Sequence, residues 1–387
     1  MRKTRRIRRI LCTAAAVLLA APAAAAEDAV LKEKVLELGL SRISYPAAEG
    51  LADENRTDRV NALLTADLGT EEYIARTTAL ISDESLRVET EWDGLAAGDV
   101  ISCAMSAEGA LESARSTHRW TWSNIDLRDM HEITLDELFT DGEAARGWLE
   151  EYLEYEVEPE MSAHLSACET VPLPEGFRLE RTGLTLLYPV SRLSTLSDRA
   201  GAVKIGWNEI RDLLDPDADG IPARIGVPEM TELDGESAER IREMTESGRL
   251  PDIPVQVGDA LKPLTDRYGL LTDPDIYEGG RIFAPEGACF RDVYLLTDYM
   301  SEEWDDSVVR GIRMDRGCAW GLCVGETRRD EWRAVLGAPD AEAELDEERA
   351  EAYRTEPGAC DYYTFGSYQL RLYCDREDVL TGIVLTE

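Results

Sequence analysis

Apolar positions along the chain change period several times, and the changes lay out its elements. A stretch over 31–45 turns strand-like at its end, and then Val60, Leu63, Leu64 and Leu68 fall on one face of a helix. Alternating or apolar runs over 86–92, 100–105 and 119–127 predict strands. Trp148, Leu149, Tyr152 and Tyr155 predict a second amphipathic helix. Strands are expected again over 177–179, 184–188 and 203–205, with a short helix over 207–214. The pattern then lapses over 229–255, a stretch rich in acid, Gly and Pro that predicts an open linker with at most one helical turn around Ile241. It resumes with strands over 293–296, 308–314, 362–365, 370–373 and 379–385. Thr327 with Asp330 reads as a capping box, Trp332, Val335 and Leu336 as a buried helix face, and Gly337 followed by Pro339 as its end. A second, very acidic helix is expected over 341–353.

Runs of strands mixed with a few helices argue for the α+β class and against a regularly alternating parallel sheet. Two domains are expected, each a mainly antiparallel sheet packed with a few helices, and 387 residues suffice for both. The expected divisions are a signal over 1–26, a first domain over 27–228, the linker over 229–255 and a smaller disulfide-containing domain over 256–387.

The signal reading comes from the N-terminus. Arg2, Lys3, Arg5, Arg6, Arg8 and Arg9 make a basic head, an alanine-rich apolar stretch runs to Pro22, and Ala24, Ala25 and Ala26 supply small residues for cleavage. An uncleaved anchor is the alternative, although the run is short for a spanning helix. No later segment is apolar enough to span, so the mature chain is expected to be extracytoplasmic, secreted or held at the cell surface. The formal charge of −37 becomes −43 once those six basic residues leave. Such a chain is a poor nucleic-acid ligand, since phosphate binding needs a basic surface, and a good attractor of cationic proteins.

Export also favours disulfides. Cys12 falls inside the signal; Cys103 and Cys168 lie in the first half, and Cys289, Cys318, Cys323, Cys360 and Cys374 in the second. A hairpin with three loop residues centred on Ser367 would set Cys360 opposite Cys374, so these two are the expected pair. A zinc site using Cys318-x4-Cys323 is the alternative, against which the spacing argues.

The first half carries recognisable segments: ISYP at 43–46, WTWSNIDLRDMHEITLDELF at 120–139, GLTLLYPV from Gly183 and AGAVKIGWNEIRDLL ending at Leu214. These resemble the extracellular domain of the RsiV anti-sigma factors, a module also found ahead of the catalytic domain in a peptidoglycan deacetylase. The resemblance spans roughly residues 30–220 and implies a binding domain, since in RsiV-like proteins the module senses lysozyme. Within TLDELF, Thr134 is expected to cap a short helix with Glu137, while Leu135, Leu138 and Phe139 pack inward. Only nine residues precede the apolar segment, so a cytoplasmic sigma-binding domain is not expected. In the second half GETRRDEWRAVLGAPD at 325–340 and the strands ending in LTGIVL resemble small modules of the BamE and beta-lactamase-inhibitor-protein type, which bind other proteins.

Candidate chemistry is sparse. The histidines are His118, His131 and His164, and there is no HExxH, GxSxG or Walker loop, so no catalytic residue is assigned and no enzyme activity is expected. Asp215, Asp217, Asp219 and Gly220 spell D-x-D-x-D-G, a candidate calcium loop and the one cofactor reading offered, but the twelfth position is Gly226 where the motif wants Glu. An acidic turn is the simpler account. His118, Trp120 and Trp122 alternate on a predicted strand and share a face, either as an aromatic platform for a partner or as core. Two functions remain in view: a non-catalytic binding protein for a cationic, lysozyme-like partner, and an envelope protein associated with peptidoglycan binding or modification.

Overall fold

The computed structural model describes residues 29–51, 53–82, 86–111, 117–156, 173–188, 201–268, 275–277, 280–285, 292–298 and 306–387. The predicted signal over 1–26 lies outside them. Sheets that are mainly antiparallel and a few helices make up the chain, as the α+β expectation requires.

A hairpin of β1 (Val30–Leu38) and β2 (Ser41–Glu49) leads into α1 (Glu54–Asp67) and α2 (Thr70–Leu80), and these helices carry the chain across to β3 (Val88–Ala97). That crossover is why β2 and β3 pair parallel, the one parallel pair in the order β1-β2-β3-β4-β5-β6. β4 (Val100–Gly109), β5 (Thr117–Asp126) and β6 (His131–Glu132) complete the sheet by antiparallel pairing. The helical face read from the sequence is the buried one: Val60, Leu64 and Leu68 close a core with Ile43, Ile101 and Met105. On the other side, β7 (Gly176–Leu179), β8 (Gly183–Leu187) and β9 (Ala202–Gly206) form a three-stranded sheet. Hydrogen bonds from Asn124 Nδ2 to Phe177 O at 2.9 Å and from Leu179 N to Ser102 Oγ at 2.7 Å tie it to the first. α3 (Gly142–Glu156) supplies Leu149 and Leu153 to the core beneath it.

An eight-stranded antiparallel sheet occupies the second half, in the order β10 (Asp275–Tyr277), β11 (Gly280–Phe283), β12 (Val293–Asp298), β13 (Val309–Met314), β19 (Leu380–Thr386), β18 (Tyr368–Asp375), β17 (Gly358–Phe365) and β16 (Ala341–Leu345). Its central strands β13, β19, β18 and β17 match the predicted positions.

Three local expectations need correction. Residues 229–255 are not an open linker: they hold the helix Ser237–Ser247, and Ile241, Met244, Leu250, Ile253 and Val255 are buried in the core of the eight-stranded sheet. Average composition hid a one-sided helix whose Glu239, Glu243 and Glu246 face outward. The acidic stretch 341–353 is a helix only over Glu347–Ala352; Ala341–Leu345 is the edge strand β16, because pairing with β17 overrides the helix propensity of Ala and Glu. The helix Arg329–Leu336 starts one residue later than the motif suggests, with Arg328 N donating to Glu331 Oε2 at 2.7 Å. Thr327 Oγ1 is spent elsewhere, accepting from Cys323 N and donating to Gly321 O.

Among the described residues no helix is long and apolar enough to cross a membrane.

Candidate functional site

The TLDELF segment folds as its spacing requires. Thr134 N and Oγ1 both donate to Glu137 Oε1, at 2.8 and 2.7 Å, at the head of a 3₁₀ turn over Leu135–Leu138, and Leu135, Leu138 and Phe139 enter the core. His131 stands between Asp129 and Glu137, whose carboxylates push it up to about 9. Its ligand nitrogens come near oxygens of Asp126 and Asp129, the one metal-compatible group among the described residues. A His held in its cationic form is a poor metal ligand, and both Asp126 oxygens already accept from Arg224 at 2.6 Å.

The other sequence candidates are placed as follows. Asp215 Oδ1 accepts from Asp217 N and Asp217 Oδ1 from Asp219 N, each at 3.0 Å, so these carboxylates fold back on their own loop as Asx turns and the three do not converge on a common point. His118 and Trp120 are buried, with ring centroids 5.4 Å apart, and Trp120 packs with Ala104, Leu187, Ala202 and the half-buried Trp122 under the three-stranded sheet. The three do share a face, but the neighbouring sheet covers it and no exposed platform results. At Gly176 even a Cβ would come within 2.5 Å of the Trp122 ring.

The Cys360–Cys374 disulfide is not formed. β17 and β18 are joined through Gly366 and Ser367 alone, with Phe365 opposite Tyr368, so the loop is one residue shorter than assumed and the register moves by one. Cys360 then faces Tyr373 while Cys374 faces Ala359, and the thiols enter different cores on opposite faces. The disulfide joins Cys318 to Cys323 across the short pair β14 (Cys318–Ala319) and β15 (Leu322–Cys323), which also removes the zinc alternative. Gly321 in its turn has φ 84, and a Cβ there would meet Leu233 and Glu232 backbone at 2.5 Å. Cys12, Cys168 and Cys289 lie outside the described residues. Burial pushes the Cys360 and Cys374 thiols up, to about 12 and about 11. Alkylation with iodoacetamide should therefore leave both unmodified in the folded chain and label both after denaturation without reductant; a folded chain that reacts at either would contradict this packing.

The densest chemistry lies where no motif pointed, at the seam between the three-stranded sheet and the segment following helix Ser237–Ser247. Arg178 and Glu180, 2% and 3% exposed, pair through Arg178 Nη2 at 2.5 Å. Arg178 Nη1 also meets Asp93 Oδ2 at 2.8 Å, and Lys204 Nζ lies 2.7 Å from Glu180 Oε2. Across the seam, Thr182 N and Oγ1 donate to Asp252 Oδ2 at 2.6 and 2.7 Å. Burial alone would push Glu180 up, but Lys204 and Arg178 outweigh it and hold it down at about 2. Asp252 is moved the other way, pushed up by burial and then by the Glu180 charge. Asp93, Arg178, Glu180 and Asp252 border a cavity of about 300 Å³ whose apolar wall includes Leu95, Leu179, Leu250 and Ile253. A concave site with an apolar wall and a few convergent polar groups is the physical form of a ligand site. The signal that could have found it is two charged residues, Arg178 and Lys204, inside otherwise apolar strands.

No protein-family model and no curated protein matches the chain. Among solved structures, a DUF3298-family protein of Bacteroides fragilis is similar at 15% identity and a TM-score of 0.35, covering 51% of this chain and 96% of that one. A DUF3298-family protein of Pseudomonas aeruginosa is similar at 13% identity and a TM-score of 0.33, covering 49% and 93%. The DUF4309-family protein YjgB of Bacillus subtilis follows at 10% and 0.26, covering 39% and 96%.

Proposed function

We propose that this is an extracytoplasmic, non-catalytic recognition protein whose partner is a cationic, cell-wall-directed protein of the lysozyme class. The observation that carries the reading is the charge of −37, or −43 after loss of the basic head. The way the cations are used adds to it. Arg178, Arg224, Arg313, Arg329 and Arg333 each pair with carboxylates of the fold. Exposed acids are left on α3 (Glu143, Glu150, Glu151) and on the helix Glu347–Ala352 (Glu348, Glu351). Such a surface speeds encounter with a basic protein, and buried anchors must supply the rest of the affinity. The class of partner comes from the sequence resemblance of residues 30–220.

Calorimetry of the whole mature chain with a lysozyme tests this at low salt and at about 0.15 M, where the Debye length is roughly 8 Å. The expected result is a Kd of about 1 μM or tighter that persists at the higher salt. Binding confined to low salt, or none, would reject the lysozyme class and leave unspecific attraction.

A further inference from the structure

The seam contains three carboxylates, Asp93, Glu180 and Asp252, against two buried cations, Arg178 and Lys204. Arg178 is shared by Asp93 and Glu180, and Lys204 sits on Glu180. Asp252 feels the Lys204 charge but makes no ion pair among the described residues, since the Lys204 ammonium sits on Glu180. Its Oδ2 accepts from Thr182, while its Oδ1 has no hydrogen bond among the described residues, and it borders the cavity. A third cation, Arg249, lies at the mouth, exposed, with Nε and Nη2 on Gln256 Oε1. An apolar wall with a carboxylate beside it that makes no ion pair is complementary to a cation carried on a hydrocarbon stem. A neutral ligand would leave Asp252 without an ion pair, and an anion would be repelled by it.

We propose that the seam cavity is a binding site for a primary ammonium group on a short alkyl stem, the ammonium on Asp252 and the methylenes against Leu95, Leu179, Leu250 and Ile253. That chemistry has two sources, a lysine side chain of a protein partner or a free alkylamine. The first deepens the cationic-partner reading and rests on it; the second does not. Bringing a positive charge to Asp252 relieves the strain that burial and Glu180 place on its ionised form, so binding displaces whatever proton Asp252 holds. The other charged groups facing it, Glu180 and Lys204, stay paired throughout.

The test is titration of the unaltered chain with n-butylamine and, in parallel, with n-butanol, which has the same stem and no charge. Butylamine is expected to bind saturably and at least about tenfold more tightly than butanol, a step of about 1.4 kcal/mol. Its affinity should weaken between pH 7 and pH 4 as Asp252 takes up its proton, the amine staying charged throughout. Asp252→Asn should lose that tenfold preference; Asn suits the left-handed backbone at this position, where φ is 57, so the variant is expected to fold. Arg249→Ala should keep or strengthen binding. Equal binding of amine and alcohol by the unaltered chain, or an undiminished preference in Asp252→Asn, overturns the proposal. Given butylamine binding, loss of lysozyme binding after acetylation of its lysines identifies the side-chain source, and retention identifies the free amine. A chain that takes butylamine and no lysozyme keeps this site and loses the lysozyme reading.

Discussion

Replacing Asp361 with alanine is expected to destabilise the folded chain by about 3–5 kcal/mol, read as a lower urea midpoint at unchanged slope. Asp361 is fully buried on β17 and gathers the helix Arg329–Leu336 onto the sheet. Its Oδ2 accepts from Trp332 Nε1 at 3.0 Å and Arg333 Nε at 2.7 Å, and its Oδ1 from Arg329 and Arg333 Nη2 at 2.6 Å. Removing the carboxylate leaves a buried indole N–H without an acceptor and two guanidiniums without their shared counter-charge. Glu342 touches the same two arginines at 3.2 and 2.6 Å but is largely exposed, so Glu342→Ala is expected to cost under about 1 kcal/mol. Burial decides between two carboxylates with the same partners. Burial alone would push Asp361 up, yet Arg333 and Arg329 outweigh it and its folded value lies below the ordinary one. Its contribution is therefore full above the unfolded value, about 3.9, and is lost as pH falls through the folded value. A variant that unfolds at the wild-type midpoint would show that the arginines reach solvent at little cost.

Lys204→Met is expected to cost about 3–5 kcal/mol at pH 7, because it leaves the buried Glu180 with only Arg178, which Asp93 shares, and removes the buried cation facing Asp252. The pH dependence separates this from lost packing. In the natural chain Glu180 is held at about 2, so its stabilising contribution is present above the unfolded value near 4.3 and lost only as pH falls toward 2. Asp252 is raised, so the cost of ionising it is present at neutral pH and relieved on acidification. Without Lys204 the carboxylates resist ionisation more strongly, so the deficit relative to the natural chain should shrink between pH 7 and pH 4. A deficit constant over that range would assign the loss to packing of the lysine stem.

What was legible in the sequence is what depends on neighbours within a turn or a strand. The Val60, Leu64 and Leu68 face, the Thr134–Glu137 cap and the strands at 177–179, 184–188 and 203–205 follow from side-chain period and short-range hydrogen bonds, and each stands where the pattern put it. Where the reading needed one more residue of geometry it failed. Counting three loop residues in place of two turned Cys360 and Cys374 to opposite faces of the sheet, because side chains alternate with a period of two. Averaging over 229–255 failed for a related reason: Ile241, Met244, Leu250, Ile253 and Val255, spread among exposed acids, look like a linker until the eight-stranded sheet gives them something to cover.

The sequence by itself determined the excess of acid, the α+β class and the Thr134–Glu137 cap, since composition, period and capping contacts are properties of short stretches. Tertiary structure alone decided that Trp120 is core, that Cys318 pairs with Cys323, and that Asp93, Arg178, Glu180, Lys204 and Asp252 meet at one seam. Arg178 and Glu180 are two residues apart, but Asp93, Lys204 and Asp252 join them from distant parts of the chain, with no common period or spacing to mark the set. The free energy of a buried charge depends on which opposite charges stand within a few ångströms, and only the folded chain sets that distance.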